Sequence, residues 1–563
     1  MQRFELDWDV RLLSVDSRQV PIYRCGVLVA GAGVAGATAA LEAGENGVEV
    51  VVLSKSTLDE SNTFYAQGGI AAVLDPADSL GAHVEDTLAV GCGLGERAAV
   101  EAVVRGGPAA VRGLERRGAQ WDRRPDGALD LSREGGHRHP RVVHARGDAS
   151  GREVQLTLRR SLESHPRITV FQDTFLVDLL CASEGRVVGA LVRTTRGELA
   201  VFSAGAVILA TGGAGQIYRE TTNPAIATGD GVAVGFRAGA VVRDLEFFQF
   251  HPTLLYIAGA ARVLISEIVR GAGGVLRDRH GVRFMSDVPG AELAPRDVVS
   301  RAIFERMVAT HDTSVYLDLS AVAGDPHALF PGISRICRYF GIDIARDPVP
   351  VRPGAHYMIG GLETDLSGRT NVAGLWAVGE CASTGIHGAN RMGSNSLLEG
   401  LVLGERAGQS AAEAAQGRGI REWSVRPPRR RVSAPDGMRV NVQDVTYSLK
   451  SLMWRQMGIT RTAEELDDAV AKIRLWIRAV GELGAAEPAT WELLNMLSVS
   501  YLAALGARAR TESRGVHYRV DRPHVDPAWR AHTRCRPAFE EGRIGEVVLE
   551  RIPVEEPLPV TRA

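Results

Sequence analysis

The sequence predicts an α/β fold: a Rossmann-like dinucleotide-binding domain, an inserted α+β capping domain, and a C-terminal helical domain. Three stretches carry that prediction. Cys25 to Lys55 hold an apolar β-branched run, a glycine-spaced turn, an alanine-rich helical segment and a second apolar run, which together make a complete βαβ unit. Residues 242–357 turn more aromatic, with Phe247-Phe248-Gln249-Phe250-His251-Pro252 and Leu293-Ala294-Pro295-Arg296-Asp297, and read as an insertion. From Val445 to Gly506 the apolar residues recur at helical spacing. A chain of 563 residues is too long for one core, and the expected division is 1–241 with 358–422 for the nucleotide-binding domain, 242–357 for the cap and 436–563 for the helical domain.

Within the βαβ unit, Gly31 permits the tight turn, Gly33 lets the backbone approach a pyrophosphate, and Gly36 lets the helix pack close to the strand. Ala32, Val34 and Ala35 complete the turn, and the phosphates belong at the positive helix N-terminus. A nicotinamide site would end its second strand in Asp or Glu, but this strand ends Leu53-Ser54-Lys55. Ser54 can still bond a ribose and Lys55 can neutralise a phosphate, so a flavin dinucleotide fits better.

Composition narrows the partners. With 45% apolar residues and a net charge of −2, nothing advertises nucleic acid or an anionic membrane surface. The six cysteines are scattered without a C-x-x-C pair, which argues against a disulfide framework, an iron–sulfur cluster or a zinc site. The first ten residues, MQRFELDWDV, carry acids where a signal peptide needs basic and then apolar residues. No apolar run is long enough to cross a bilayer, so a cytoplasmic protein without membrane partners is expected.

Further along, residues 1–24 read as a polar leader, and Asn62-Thr63-Phe64-Tyr65-Ala66-Gln67-Gly68-Gly69 as a loop that can lay backbone N–H groups against a flavin ring. Residues 122–152 are polar and basic and read as solvated loop, whose His137, His139 and His144 lack metal-ligand companions. Ala206 to Gly213 give a buried strand returning to the first sheet, and Asp230 opens a helix, where it can cap or hold a ribose hydroxyl. Glu380 falls at the C-terminal end of a strand, where open α/β sheets bind ligands. Asn395, Ser396 and Leu397 begin an apolar helix after a glycine-bearing polar turn, so its dipole can face an acceptor. Val425 to Pro435 read as a linker, and Arg510 to Gly515 as part of an irregular basic tail.

The ordered motifs GAGVAG, SNTFYAQGGIAAV, ATGG, TTNPAIATGDG, LEFFQFHPT, LAPRD, HYMIGG, AVGECA, HGANRMGSNSLLEG and RTESRG span residues 31–515. In that order they resemble the succinate dehydrogenase and fumarate reductase flavoprotein superfamily, and within it the L-aspartate oxidases. The resemblance implies FAD-dependent oxidation of L-aspartate to iminoaspartate by hydride transfer to flavin N5. Oxygen or fumarate would be the electron acceptor, and the reaction would be the first step of quinolinate and NAD biosynthesis, with quinolinate synthase as a possible transient partner. Asn62 stands where respiratory members carry a flavin-bonded histidine, which implies noncovalent FAD. Glu134 matches the glutamate that meets the substrate ammonium, where dicarboxylate dehydrogenases have glutamine. His251, His356 and Arg391 match the residues that hold the two carboxylates, Ser266 and Glu267 complete the pocket, and Arg296 matches the proton-transfer residue. The chain departs from the pattern at Ser266, more often threonine, and at Ala272, where an acid is usual. The rival readings are a dicarboxylate dehydrogenase subunit and a noncatalytic flavin-binding protein.

Overall fold

The computed structural model describes residues 1–13, 20–257, 263–416, 440–483 and 487–554. The linker reading at Val425 to Pro435 lies outside the described residues. Strand Leu199–Leu209 is the centre of the main sheet. It pairs in parallel with Ile22–Ala30 and with Leu375–Ala377, and beyond Ile22–Ala30 come Val50–Leu53 and Ile168–Phe171, also parallel. Val187–Arg193 and Phe175–Cys181 extend the other side antiparallel. Val50–Leu53 is buried on both faces, as a parallel strand covered by helices must be. Helices Val34–Glu45 and Asn395–Gln416 supply much of that cover, packing small residue against small residue: a Cβ at Gly404 or Gly408 would collide with the backbone of Ala35 or Ala39.

The cap is a four-stranded antiparallel sheet, in the order Phe248–Leu255, Val349–Met358, Val315–Asp318, Val275–Arg277. Helix Arg296–Thr310 packs on it around a core of its own that includes Val269, Leu276, Ile303, Leu317 and Val351. The two long strands lead back into the nucleotide-binding body, so His251 and His356 sit where cap and body meet.

Helices Val442–Gln456, Ala463–Glu482 and Pro488–Ala509 form the expected helical unit, the last buried almost all round. Two segments differ from expectation. The tail after these helices is not irregular throughout: Ala531–Glu540 and Arg543–Pro553 form a hairpin whose Glu541 and Gly542 both take positive φ, 47° and 82°. That is the geometry of a two-residue turn matched to strand twist. The N-terminal leader supplies strand Gln2–Asp9, which pairs with Arg543–Pro553 at the edge of a six-stranded sheet. No helix among the described residues is long and apolar enough to cross a membrane.

A buried charge network fixes the helical unit to the cap root. Arg510 donates from Nε to Glu246 Oε1 (2.9 Å) and from Nη1 to Glu512 Oε1 (3.0 Å), with all three side chains fully buried. Glu246 lies two residues before the strand that carries His251, and its other oxygen accepts from Thr533 Oγ1 at 2.7 Å. Arg510→Met leaves Glu246 without its ion pair in a dry interior. The expected loss is about 3–5 kcal/mol, read as a lower denaturant midpoint at unchanged slope.

Candidate active site

A cavity of about 700 Å³ runs from the N-terminus of helix Val34–Glu45 to the junction of body and cap. At its first end the predicted turn residues line the wall: Gly31, Ala32, Gly33, Val34 and Ala35, with Ser54 and Lys55 beside them. Gly31 has φ +111°, and a Cβ there would collide with Ala210 O. Gly36 does not line the cavity; its missing Cβ lets the helix close onto Gly31 O, so its part is packing. The N-cap residue Gly33 offers no side-chain cap and the first turn holds no acid; Thr63 Oγ1 takes the Val34 N–H at 3.0 Å, and the helix's positive end otherwise faces the cavity. Lys55 is placed differently from expectation. Its ammonium is held by Asp230 (2.8 Å) and Glu492 (2.6 Å), so its charge is already matched.

Asn62, Thr63, Tyr65, Ala66, Gln67, Gly68 and Gly69 line the middle of the cavity. Phe64 does not; its ring turns away toward the Arg152 guanidinium, 5.7 Å off. Asp230, Glu380, Ser396 and Leu397 also line the wall. Asn395 does not, because its amide is spent on His83 Nε2 (2.9 Å) and Thr87 Oγ1 (3.0 Å). Glu380 accepts from Asn62 Nδ2 and from the Met358 N–H, both at 2.9 Å, and burial pushes its carboxyl up to about 7. A long cavity with a helix end free of acids, glycine at the close approaches and a buried Gln67 Oε1 that has no hydrogen-bond partner fits a flavin dinucleotide.

At the far end the structure brings together all seven predicted substrate residues: Glu134, His251, Ser266, Glu267, Arg296, His356 and Arg391. The loop around Glu134 is not solvated as its composition suggests. Glu134 and His137 are buried, and Arg141 is fixed behind them by Asp78 and Asp86, each at 2.7 Å. Glu134 Oε2 accepts from Ser394 Oγ at 2.8 Å. A Cβ at Gly393 would sit 2.5 Å from that oxygen and 3.2 Å from Arg296 Nη2, so glycine there lets acid and arginine share one corner.

Glu267, the first residue of helix Glu267–Gly271, accepts from Arg296 Nε (2.8 Å) and from the Gly135 N–H (3.0 Å), and Arg270 Nη2 is 3.8 Å away. Burial alone would raise its carboxyl, but the two arginines and these hydrogen bonds hold it at about 2. Glu134, in the same pocket, moves the opposite way: burial and the neighbouring Glu267 charge raise it. His251 and His356, with ring centroids 5.2 Å apart, are held well below the usual imidazole range by burial and nearby arginines, so both are neutral at pH 7. The Thr253 N–H donates to His251 Nδ1, which leaves Nε2 as the hydrogen-bearing nitrogen. Ser266 is the N-cap of the helix that Glu267 opens.

Sequence reading missed three residues. Gln249 Oε1 accepts from both Arg296 Nη1 (3.4 Å) and Arg391 Nε (3.3 Å). Tyr357 lies under the Arg391 guanidinium at 4.6 Å. Arg270 stands behind Glu267, fully buried, with Nε and Nη2 lacking hydrogen-bond partners. The only sequence signal for them is proximity to His251, His356 and Glu267.

Fold and cavity together define a flavin-dinucleotide oxidoreductase with an arginine-lined pocket for a small anion. Residues 26–397 match the family model described as FAD binding domain, and residues 446–557 match the fumarate reductase flavoprotein C-terminal model. The chain is 41% identical to L-aspartate oxidase from Nostoc sp., covering 90% of this chain and 92% of that one. It is 44% identical to L-aspartate oxidase from Mycobacterium bovis, covering 89% and 93%. A solved structure of E. coli quinol fumarate reductase superposes with a TM-score of 0.88 at 32% identity, covering 96% of this chain and 98% of that one. The chain belongs to the L-aspartate oxidase family, its cofactor is FAD, and the predicted fold class is borne out.

The raised carboxyl of Glu380 makes a stability prediction for the flavin-free protein. A carboxyl whose folded value lies near 7 against an ordinary 4.5 leaves stability intact below about pH 4.5 and removes it as pH rises to about 7. Denaturation midpoints at pH 5 and pH 7.5 should therefore differ less in Glu380→Gln than in the wild type.

Proposed function

We infer that the protein oxidises L-aspartate to iminoaspartate with FAD, the first step of NAD biosynthesis, and that fumarate or oxygen takes the electrons. The observation that carries this is Glu134: a second buried carboxylate, beside the arginine-paired Glu267, in a pocket that also holds Arg296 and Arg391. Arginines suit a dicarboxylate, and a carboxylate among them suits an ammonium, since an ammonium leaving water needs a fixed anion. A plain dicarboxylate has no use for Glu134, which disfavours the dicarboxylate dehydrogenase reading. A noncatalytic flavin carrier would not need seven convergent polar side chains.

The chain's residues divide the work. Arg391 and His356 hold one carboxylate, and His251 and Ser266 hold the other, with Glu134 on the ammonium. Bound FAD supplies the two-electron acceptor for the Cα–H bond; Asn62 offers no ring nitrogen for a covalent link, so binding is noncovalent. Arg296 is the proton-transfer group. A guanidinium holds its proton too tightly to act alone, but Glu267 at 2.8 Å can take the Nε hydrogen as Arg296 takes one from the substrate, while the Arg270 charge beside it keeps Glu267 ionised beforehand. We place the reaction in the cytoplasm, with quinolinate synthase as the transient partner that takes up the unstable imine.

Under anaerobic conditions L-aspartate should bleach the bound flavin and succinate should not; the reverse pattern would return the chain to the dicarboxylate dehydrogenases. Glu134→Gln should slow bleaching by L-aspartate roughly 10- to 100-fold, the size of one lost charged hydrogen bond, while fumarate reduction by the pre-reduced enzyme falls less. The raised Glu134 carboxyl adds a pH signature. Succinate binding should tighten as pH falls and Glu134 gains a proton, aspartate binding should not, and the difference should vanish in Glu134→Gln; equilibrium titrations across pH check this.

A further inference from the structure

The two arginines of the pocket are held in different ways. Arg296 has a carboxylate partner, Glu267, at 2.8 Å. Arg391 is buried, yet every contact it makes is with a neutral group: Gln249 Oε1 at 3.3 Å, Ser396 Oγ at 2.8 Å, and the face of Tyr357 at 4.6 Å. A buried cation without an anion is costly, but a protein carboxylate placed directly on Arg391 would occupy the edge that a substrate carboxylate needs. An anion stands one ring further back, behind Tyr357. Tyr357 donates its hydroxyl hydrogen to Glu399 Oε2 at 3.1 Å, and Glu399 is buried and itself fixed by Thr384 Oγ1 at 2.6 Å and His387 Nε2 at 2.8 Å. Ser396 and Glu399 both project from the first turns of helix Asn395–Gln416, so one element sets both the side and the back of the Arg391 cage.

We propose that Tyr357 and Glu399 are positioning residues for Arg391: Glu399 polarises the phenol, the electron-rich ring stabilises the guanidinium from its face, and the guanidinium edge stays free for the substrate's carboxylate. The phenol remains protonated throughout, because burial and the Glu399 and Glu380 carboxylates keep it well above its ordinary range. A phenol O–H that donates to a carboxylate pushes charge into its ring, and a cation on the ring face gains from it. Among the described residues no carboxylate forms an ion pair with Arg391, although the Glu380 and Glu134 charges also act on it from further off. The proposal rests on the reading of Arg391 as the carboxylate-binding arginine.

The test uses the FAD-loaded full chain and succinate as the probe, titrated by its perturbation of the flavin spectrum, so that binding is read without turnover. Tyr357→Phe and Glu399→Gln should each raise the succinate Kd by roughly three- to tenfold, the span expected for a desolvated cation–π contact. The double variant should be no weaker than the worse single one, because both changes act through the same ring. For L-aspartate the KM should rise by the same factor as the Kd while kcat falls by less, which a general loss of structure would not produce. Tyr357→Leu, which removes the ring, should bind succinate more weakly than Tyr357→Phe. If Glu399→Gln does not fold, Tyr357→Phe, which loses one oxygen atom and no packing, carries the test alone. An unchanged Kd in Tyr357→Phe, or additive losses in the double variant, overturns the assignment. Wild-type protein that binds no dicarboxylate overturns the pocket reading itself, and the assignment with it.

Discussion

One carboxylate, Glu267, holds the substrate end of the cavity together. It receives Arg296 from helix Arg296–Thr310, stands beside Arg270 on its own short helix, and takes the Gly135 N–H from a loop of the nucleotide-binding body. Two buried guanidiniums this close repel each other, and only an anion between them makes the arrangement stable in a dry interior. The same carboxylate therefore joins cap to body and keeps Glu134, one residue before Gly135, facing the pocket. Without it, Arg296 loses its Nε partner and the loop of Glu134 loses its tether.

Around that centre the environment sorts chemically similar groups into different tasks. Glu267 and Glu134 are both buried carboxyls of one pocket, yet the first is held down by arginines on two sides and the second is pushed up by burial and by the first. Such divergence is how one site keeps a permanent anion and a group that can take a proton. Arg296 is paired and Arg391 is not, which suits one to passing a proton along a chain and the other to presenting an open edge. Neutral histidines complete the set as hydrogen-bond donors that add no charge.

What could be read in the sequence was local. The βαβ turn, the segment at Asn62 and the approach to Glu380 each announce themselves within a few residues, because turn chemistry depends on immediate neighbours. Even so, Asn62–Tyr65 form a short helix rather than loop, and Glu380 sits in the 3-10 turn Gly379–Cys381, beyond the strand that ends at Ala377. Gln249, Tyr357 and Arg270 were not legible, since their parts come from pairings across the chain, such as Gln249 with Arg391, 142 residues away. The N-terminal strand shows the same limit. Phe4, Leu6 and Trp8 alternate as strand residues should, but the partner that makes them a strand lies at the other end of the sequence. In the tail, the hairpin turn at Glu541 and Gly542 went unread, its strands obscured by arginine and proline. Asn395 misled in the other direction: its neighbours Ser396 and Leu397 line the cavity, but rotation along a helix turns it toward His83.

Charge matching explains why this pocket can share most of its residues with enzymes of plain dicarboxylates and still select an amino acid. L-Aspartate and a dianion such as succinate or fumarate bring the same two carboxylates to the arginines, but only L-aspartate also brings an ammonium to match Glu134. A dicarboxylate therefore leaves one more negative charge in the pocket than the amino acid does, and in a water-poor cavity that excess must be relieved. The raised carboxyl of Glu134 is the group able to relieve it, by taking up a proton. The pocket thus admits the amino acid in its resting charge state and a dicarboxylate only at the cost of a proton, a distinction made by one side chain while the arginines and histidines stay the same.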